Sequence, residues 1–159
     1  SKFKKYTVVT TTTAPLGRGR KDTSERKGAF ISVPEEAVYD AGIRYEDLVG
    51  AADVVVTKPG YGIVSEAIAN DTAMLYTSRG HFPEYDVILK EMPQYLRTAF
   101  IDQNDLFAGK WEPYLDKLLA QPKIKKKPET NGADIAAEIL LKALDKPPRK
   151  PRGRAKAKA

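Results

Sequence analysis

The stretch DVVVTKPGYGIVSEAIANDTAMLYTSRGHFPEY, residues 53–85, decides the fold. It opens on a β-branched run, Val54, Val55, Val56 and Thr57, and breaks at Pro59-Gly60-Tyr61-Gly62. It then resumes with Ile63, Val64, Ala67 and Ile68 on one side of a helical pattern. Asn70-Asp71-Thr72 leads into a second apolar run at residues 73–77. The segment predicts a buried strand, a glycine turn, a helix and a second strand, which together make one βαβ unit. In such units ligands sit at the carboxyl ends of the strands, where the helix N-terminus offers unpaired N–H groups and a positive dipole end to an anion.

Working outward toward the N-terminus, residues 45–52, with Leu48, Val49 and Ala52, predict a short helix leading into the central strand. Pro34 with Glu35 and Glu36 suits a first helical turn, and residues 29–33 predict a strand. Residues 14–28, APLGRGRKDTSERKG, are glycine-rich, charged and aperiodic and predict an exposed loop, preceded by a β-branched strand at residues 6–13. In the other direction, Val87, Ile88, Leu89 and Met92 predict a helix stopped near Pro93, and residues 99–101 a strand. Asp102 and Asp105 are expected to cap or flank the helix that follows, at residues 111–120, where Leu115, Leu118 and Leu119 form the buried stripe. Lys123 and Lys125 to Lys127, bracketed by Pro122 and Pro128, make a basic connector. Asn131 is placed to cap a last helix carrying Ile135, Ala136, Ile139, Leu140, Ala143 and Leu144 at helical spacing. Strands alternating with helices predict an α/β fold. The expectation is a single Rossmann-like lobe with a mostly parallel sheet and helices on both faces.

Composition narrows the function classes. At 159 residues and 42% apolar content the chain supports one domain with a core, not two. The absence of cysteine excludes disulfides and thiolate sites, and the single histidine, His81, argues against a histidine-based metal site. No apolar run approaches bilayer length and no signal-peptide h-region is present, so a soluble, cytoplasmic protein is expected. The chain begins at Ser1 without a methionine, which suggests a processed, trimmed or fragmentary sequence. Its formal net charge of +6 is concentrated at the end: Lys146, Arg149, Lys150, Arg152, Arg154, Lys156 and Lys158 have no acidic residue among them. Removing those seven charges leaves residues 1–145 at −1. The basicity belongs to a tail expected to be disordered, and says little about the folded part.

The run Lys58-Pro59-Gly60-Tyr61-Gly62-Ile63-Val64-Ser65-Glu66 resembles the donor-binding motif in the C-terminal lobe of GT-B glycosyltransferases. Diacylglycerol galactosyltransferases, the lipid-II N-acetylglucosaminyltransferase and plant UDP-glycosyltransferases are members of that group. The resemblance is nearest to the glycosyltransferase-like lobe of arabinokinase-type proteins and their bacterial relatives, where a KxGYGxVSE run is followed by a strand and an FxE loop, here Phe82-Pro83-Glu84. It implies that Lys58 lies near the donor diphosphate, that Gly60, Tyr61 and Gly62 let phosphate approach a helix N-terminus, and that Glu66 accepts hydrogen bonds from the ribose hydroxyls. Glycine at the turn would avoid a Cβ clash and permit unusual dihedrals. The resemblance further implies that Ile43 and Arg44 belong to a base-contacting loop and that the loop Arg79 to Tyr85 contacts the sugar, with Glu84 near it. Ile63 stands where many members carry a serine or threonine that bonds phosphate, so phosphate affinity would rest on the backbone and Lys58.

Each of these residues also has a plainer reading. The glycine turn suits an ordinary strand-to-helix connection, Lys58 a surface lysine, and Glu66 a solvated helix residue. Tyr61 would then pack under the turn. His81, a candidate general base by its neutral pKa, is otherwise an exposed loop histidine. In the tail, Arg149-Lys150-Pro151-Arg152-Gly153-Arg154-Ala155-Lys156 resembles an AT-hook, with Ala155 in place of the second proline. Arg152 and Arg154 would enter a narrow A·T minor groove, and Arg18-Gly19-Arg20 repeats the short core. The plainer reading is a solubilising tail with nonspecific attraction to nucleic acid.

The expected organisation is therefore a divergent N-terminal strand and flexible loop at 1–28, a nucleotide-sugar-binding lobe at 29–145, and a basic tail at 146–159. The expected function is that of a glycosyltransferase-like protein, or a fragment of one, that binds a nucleotide-diphosphate sugar such as a UDP-sugar. That ligand would be a donor substrate, so no cofactor and no metal is implied. Transfer would need a second lobe or a partner subunit. Two alternatives stand beside this: a non-catalytic nucleotide-binding or interaction module, and a DNA-tethered protein with an AT-hook-like tail.

Overall fold

Backbone pairing builds two three-stranded sheets in the computed structural model, which describes residues 5–12 and 24–144. The basic tail, with Arg152 and Arg154, and the Arg18-Gly19-Arg20 core lie outside the described residues. In the first sheet, β1 (Val8–Thr12) runs parallel to β3 (Phe30–Pro34), and β2 (Glu25–Lys27) pairs antiparallel with the other side of β3. Strand β2 corrects the loop expected over residues 14–28. Arg26 and Lys27 are exposed and show no hydrophobic alternation. An edge strand needs only main-chain pairing, and charged side chains suit an edge.

Helix α1 (Glu35–Asp40) starts on the acidic pair after Pro34, and α2 (Tyr45–Ala51) follows. At the start of α2 the Asp47 carboxylate accepts the Arg44 N–H at 2.8 Å. This is the return half of a capping box; arginine has no side-chain acceptor to supply the other half.

The second sheet contains the decisive stretch. β4 (Val54–Thr57), β5 (Ala73–Tyr76) and β6 (Thr98–Phe100) are all parallel with β5 in the centre. α3 (Tyr61–Asn70) connects β4 to β5, and α4 (Tyr85–Glu91) with a 3-10 turn at Met92–Gln94 connects β5 to β6. Strand alternation then divides the core in two. Met74 packs with Val64 and Ala67 of α3, Ile88 of α4, Met92 and Leu96. Its neighbours Ala73 and Leu75 face the opposite way, toward Ile101 and toward Leu115 and Leu118 of α6 (Glu112–Leu119). Met74, Leu75 and Leu118 are fully buried, each stabilising the unit by about 1.5–3 kcal/mol. Helices thus cover both faces, as the pattern predicts. The buried Thr72 hydroxyl donates to the Val49 carbonyl at 2.8 Å and ties α2 to the start of β5.

Between β6 and α6 the chain makes α5 (Gln103–Phe107), capped by Asp102, whose carboxylate accepts the Asn104 N–H at 2.8 Å. The first sheet is held to this side: Lys5 and Tyr6 both donate to the Asp116 carboxylate of α6, and Phe30 meets Trp111 edge-on at 6.4 Å. By contact density the chain divides into two units, Ser1–Pro128 and Glu129–Ala159. The described part of the second includes α7 (Gly132–Leu144), whose first turn closes on the Asn131 carbonyl, the acceptor for the Asp134 and Ile135 N–H groups. Among the described residues no helix is long and apolar enough to cross a membrane.

Candidate functional site

Because β4, β5 and β6 are parallel, the chain leaves all three at one edge of the sheet. The ladder runs on at that edge: the Thr77 N–H donates to the Thr57 carbonyl at 3.1 Å and the Ile101 N–H to the Tyr76 carbonyl at 2.8 Å. Segments 58–60, 77–84 and 101–102 are brought together there, at the end where α/β sheets hold ligands.

Pro59 and Gly60 are buried beneath the turn. Gly60 is the N-cap of α3 with φ −154° and ψ 160°, and its carbonyl accepts the Val64 N–H at 3.0 Å. Gly62 lies inside α3. Neither glycine has a positive φ, so the expected unusual dihedrals are corrected: this turn uses ordinary extended and helical backbone. What Gly60 provides is space, since a Cβ there would stand 2.4 Å from Nη1 of Arg79. Tyr61 is 57% exposed and does not pack under the turn. Ile63 is half-buried against the core cluster of Val64 and Met74.

No side chain caps the α3 N-terminus, and its first turn carries no acidic residue. Its leading N–H groups have no intrahelical partner by geometry. One turn along, Glu66 folds back toward that end: its Oε1 is 4.0 Å from where a Cβ on Gly62 would be. This follows from the tilt of helical side chains toward the N-terminus. The Lys58 side chain is exposed and makes no ion pair among the described residues. Gly60, Tyr61, Gly62 and Glu66 thus lie within the N-cap and first two turns of α3, and Lys58 stands two residues before the N-cap.

The remaining predicted residues stand apart. Glu84 is the exposed N-cap of α4, where its carbonyl accepts the Ile88 N–H at 3.0 Å, and His81 is an exposed residue of the neighbouring loop. Ile43 and Arg44 occupy the turn between α1 and α2. Among the described residues, no hydrogen bond joins any of these four to residues 58–62. No cluster of three or more histidine, aspartate or glutamate side chains suited to a metal occurs among the described residues.

Arg79 opens the loop that the resemblance assigns to the sugar, but its own contacts are not foreseen from the sequence. Arg79 donates from Nη1 to the Pro59 carbonyl at 3.0 Å, and its guanidinium carbon lies 4.4 Å from the centroid of the Phe82 ring. The signal was present as an arginine three residues before an aromatic in a short glycine-containing loop. Gln103 holds the same loop from α5, donating to the Ser78 carbonyl at 3.2 Å.

Part of the chain is similar to L-arabinokinase. The Arabidopsis thaliana protein of that name is 30% identical over 122 residues, covering 77% of this chain but 11% of the arabinokinase. The chain thus spans a small part of the length of that relative. No family model matches the chain, and no solved structure matches it.

Proposed function

We propose that the unit of residues 1–128 binds a nucleotide-diphosphate sugar at the β4–α3 turn, in the manner of a GT-B donor-binding lobe. The observation that carries this is the uncapped start of α3 behind buried Pro59 and Gly60, with the Glu66 carboxylate folded back beside Gly62. In this reading the leading N–H groups and Lys58 hold the diphosphate, and Glu66 accepts from the ribose hydroxyls. The similarity to a protein named for a sugar supports a sugar-related ligand. With a second lobe or partner subunit supplying the acceptor, the helix dipole and Lys58 would stabilise the departing diphosphate and the sugar would be transferred.

The test is a thermal-shift and calorimetric panel of UDP-, GDP- and ADP-sugars. At least one should raise the melting temperature, and Glu66→Ala should weaken it by roughly 10–100-fold, the loss of hydrogen bonds to a charged acceptor. No shift with any member of the panel would sink the reading. One observation favours a second reading, a non-catalytic nucleotide-binding module: His81, the general-base candidate, is exposed and unattached to the turn. If that holds, hydrolysis of a bound donor should be the same in His81→Ala as in the wild type. A drop specific to the variant would restore a catalytic role for His81.

A further inference from the structure

Arg79 is held from two sides. The Pro59 carbonyl accepts one of its N–H groups at 3.0 Å, and the Phe82 ring supports its guanidinium at 4.4 Å. Phe82 in turn packs against the core cluster that contains Val64, Met74 and Ile88, so the support is anchored. Gly60 completes the fit, since the 2.4 Å between its hypothetical Cβ and Nη1 means that a larger residue would displace the guanidinium. Yet Arg79 makes no ion pair among the described residues. Its planar fork carries five N–H donors, and the Pro59 carbonyl takes one. A fixed guanidinium with donors to spare is suited to a planar or tetrahedral oxyanion, because the entropy of ordering a long side chain has already been met in the free protein.

We infer that Arg79 is a phosphate-binding residue of the candidate site, directing its remaining N–H groups at the diphosphate of a nucleotide bound on the β4–α3 turn. Pro59 and Phe82 set its position and Gly60 leaves it room. The inference rests on the nucleotide reading of that turn. It assigns the cation of the site that is held by other residues to Arg79, beside the exposed Lys58, and gives loop 77–84 a part in binding phosphate as well as in the fold.

The experiment compares the full chain with Arg79→Gln, Arg79→Lys and Phe82→Leu. NMR titration, which reads millimolar dissociation constants, follows UDP, GDP, ADP and the three parent nucleosides. Arg79→Gln should weaken the preferred diphosphate by roughly 10–100-fold while leaving its nucleoside within about twofold, and should flatten the salt dependence of diphosphate binding. Arg79→Lys, which keeps the charge without the fork, should recover part of the loss. Phe82→Leu, which removes the support, should weaken the diphosphate by several-fold. If the wild type binds a diphosphate and Arg79→Gln either binds it equally well or loses diphosphate and nucleoside alike, Arg79 only fastens the loop and the inference fails alone. If the wild type binds none of the three diphosphates, the nucleotide reading fails and takes the inference with it.

Discussion

At the scale of single residues, Gly60 and Thr77 separate conformational from spatial constraints. The extended backbone of Gly60 accepts any side chain, so Gly60→Ala should fold with a cost of about 1 kcal/mol or less, because the atom it meets is the far end of an arginine side chain, which can swing away at the loss of one hydrogen bond. The same variant should lose diphosphate affinity, since the guanidinium must leave the Pro59 carbonyl. Urea unfolding and a binding titration on one sample check both halves. Thr77 poses the opposite problem. Its hydroxyl is buried in a residue 4% exposed and finds no protein partner among the described residues. Thr77→Val keeps the shape and removes the unpaired group, so stability should rise by about 1 kcal/mol, read from the urea midpoint. A fall of that size would mean the hydroxyl has a partner in solution.

At the scale of elements, α6 and the end of α3 yield contrasting expectations. Leu118 is fully buried between α6 and the sheet, and Leu118→Ala should cost about 2–5 kcal/mol in equilibrium unfolding. At the C-cap of α3, Asp71 has φ 58° and pairs with Lys127 at 3.1 Å and Lys123 at 3.7 Å, holding the basic connector. The hydrogen bond from Lys127, reinforced by the charges of Lys127, Lys123 and Arg97, holds its carboxyl below the usual aspartate value. A carboxylate depressed in the folded state adds stability above its unfolded pKa of about 3.9, and that contribution disappears as pH falls through the lower folded value. Asp71→Asn tolerates the left-handed backbone and removes only the charge. It should melt below the wild type near pH 7 by no more than the ~1 kcal/mol of a solvated ion pair, and the two melting curves should converge as pH drops below about 3.9. Equal melting temperatures at both pH values would show that the pairs contribute nothing.

At the scale of the whole molecule, charge and contact range decide what is readable. Deleting residues 146–159 takes the formal charge from +6 to −1, so the shortened chain should no longer be retained on a cation exchanger at pH 7. Any DNA binding should vanish with the same deletion, and equal retention of the full chain on A·T-rich and mixed duplexes would exclude minor-groove recognition. The central βαβ unit was legible because its pattern is local: Val54 and Val55 pack on opposite faces of the sheet, and Ile63, Val64, Ala67 and Ile68 recur at helical spacing against one cluster, although β4 is an edge strand with Val56 exposed and not the buried strand expected. The buried Leu115 and Leu118 were legible for the same reason, whereas Asp102, expected to serve the helix at 111–120, caps the short α5, which has too few residues to show a hydrophobic period. Strand β2 was not, because main-chain pairing at a charged edge leaves no hydrophobic period. Nor was Arg79, whose partner Pro59 is 20 residues away, or the Tyr6–Asp116 contact, which spans 110 residues. By itself the sequence determined the alternation of strands and helices, the glycine turn at the carboxyl edge and the basic tail, since each is written in neighbouring residues. Only the tertiary structure decided why Gly60 must be small and which cation stands over it, because those depend on side chains that meet across the fold and leave no periodic trace in the chain.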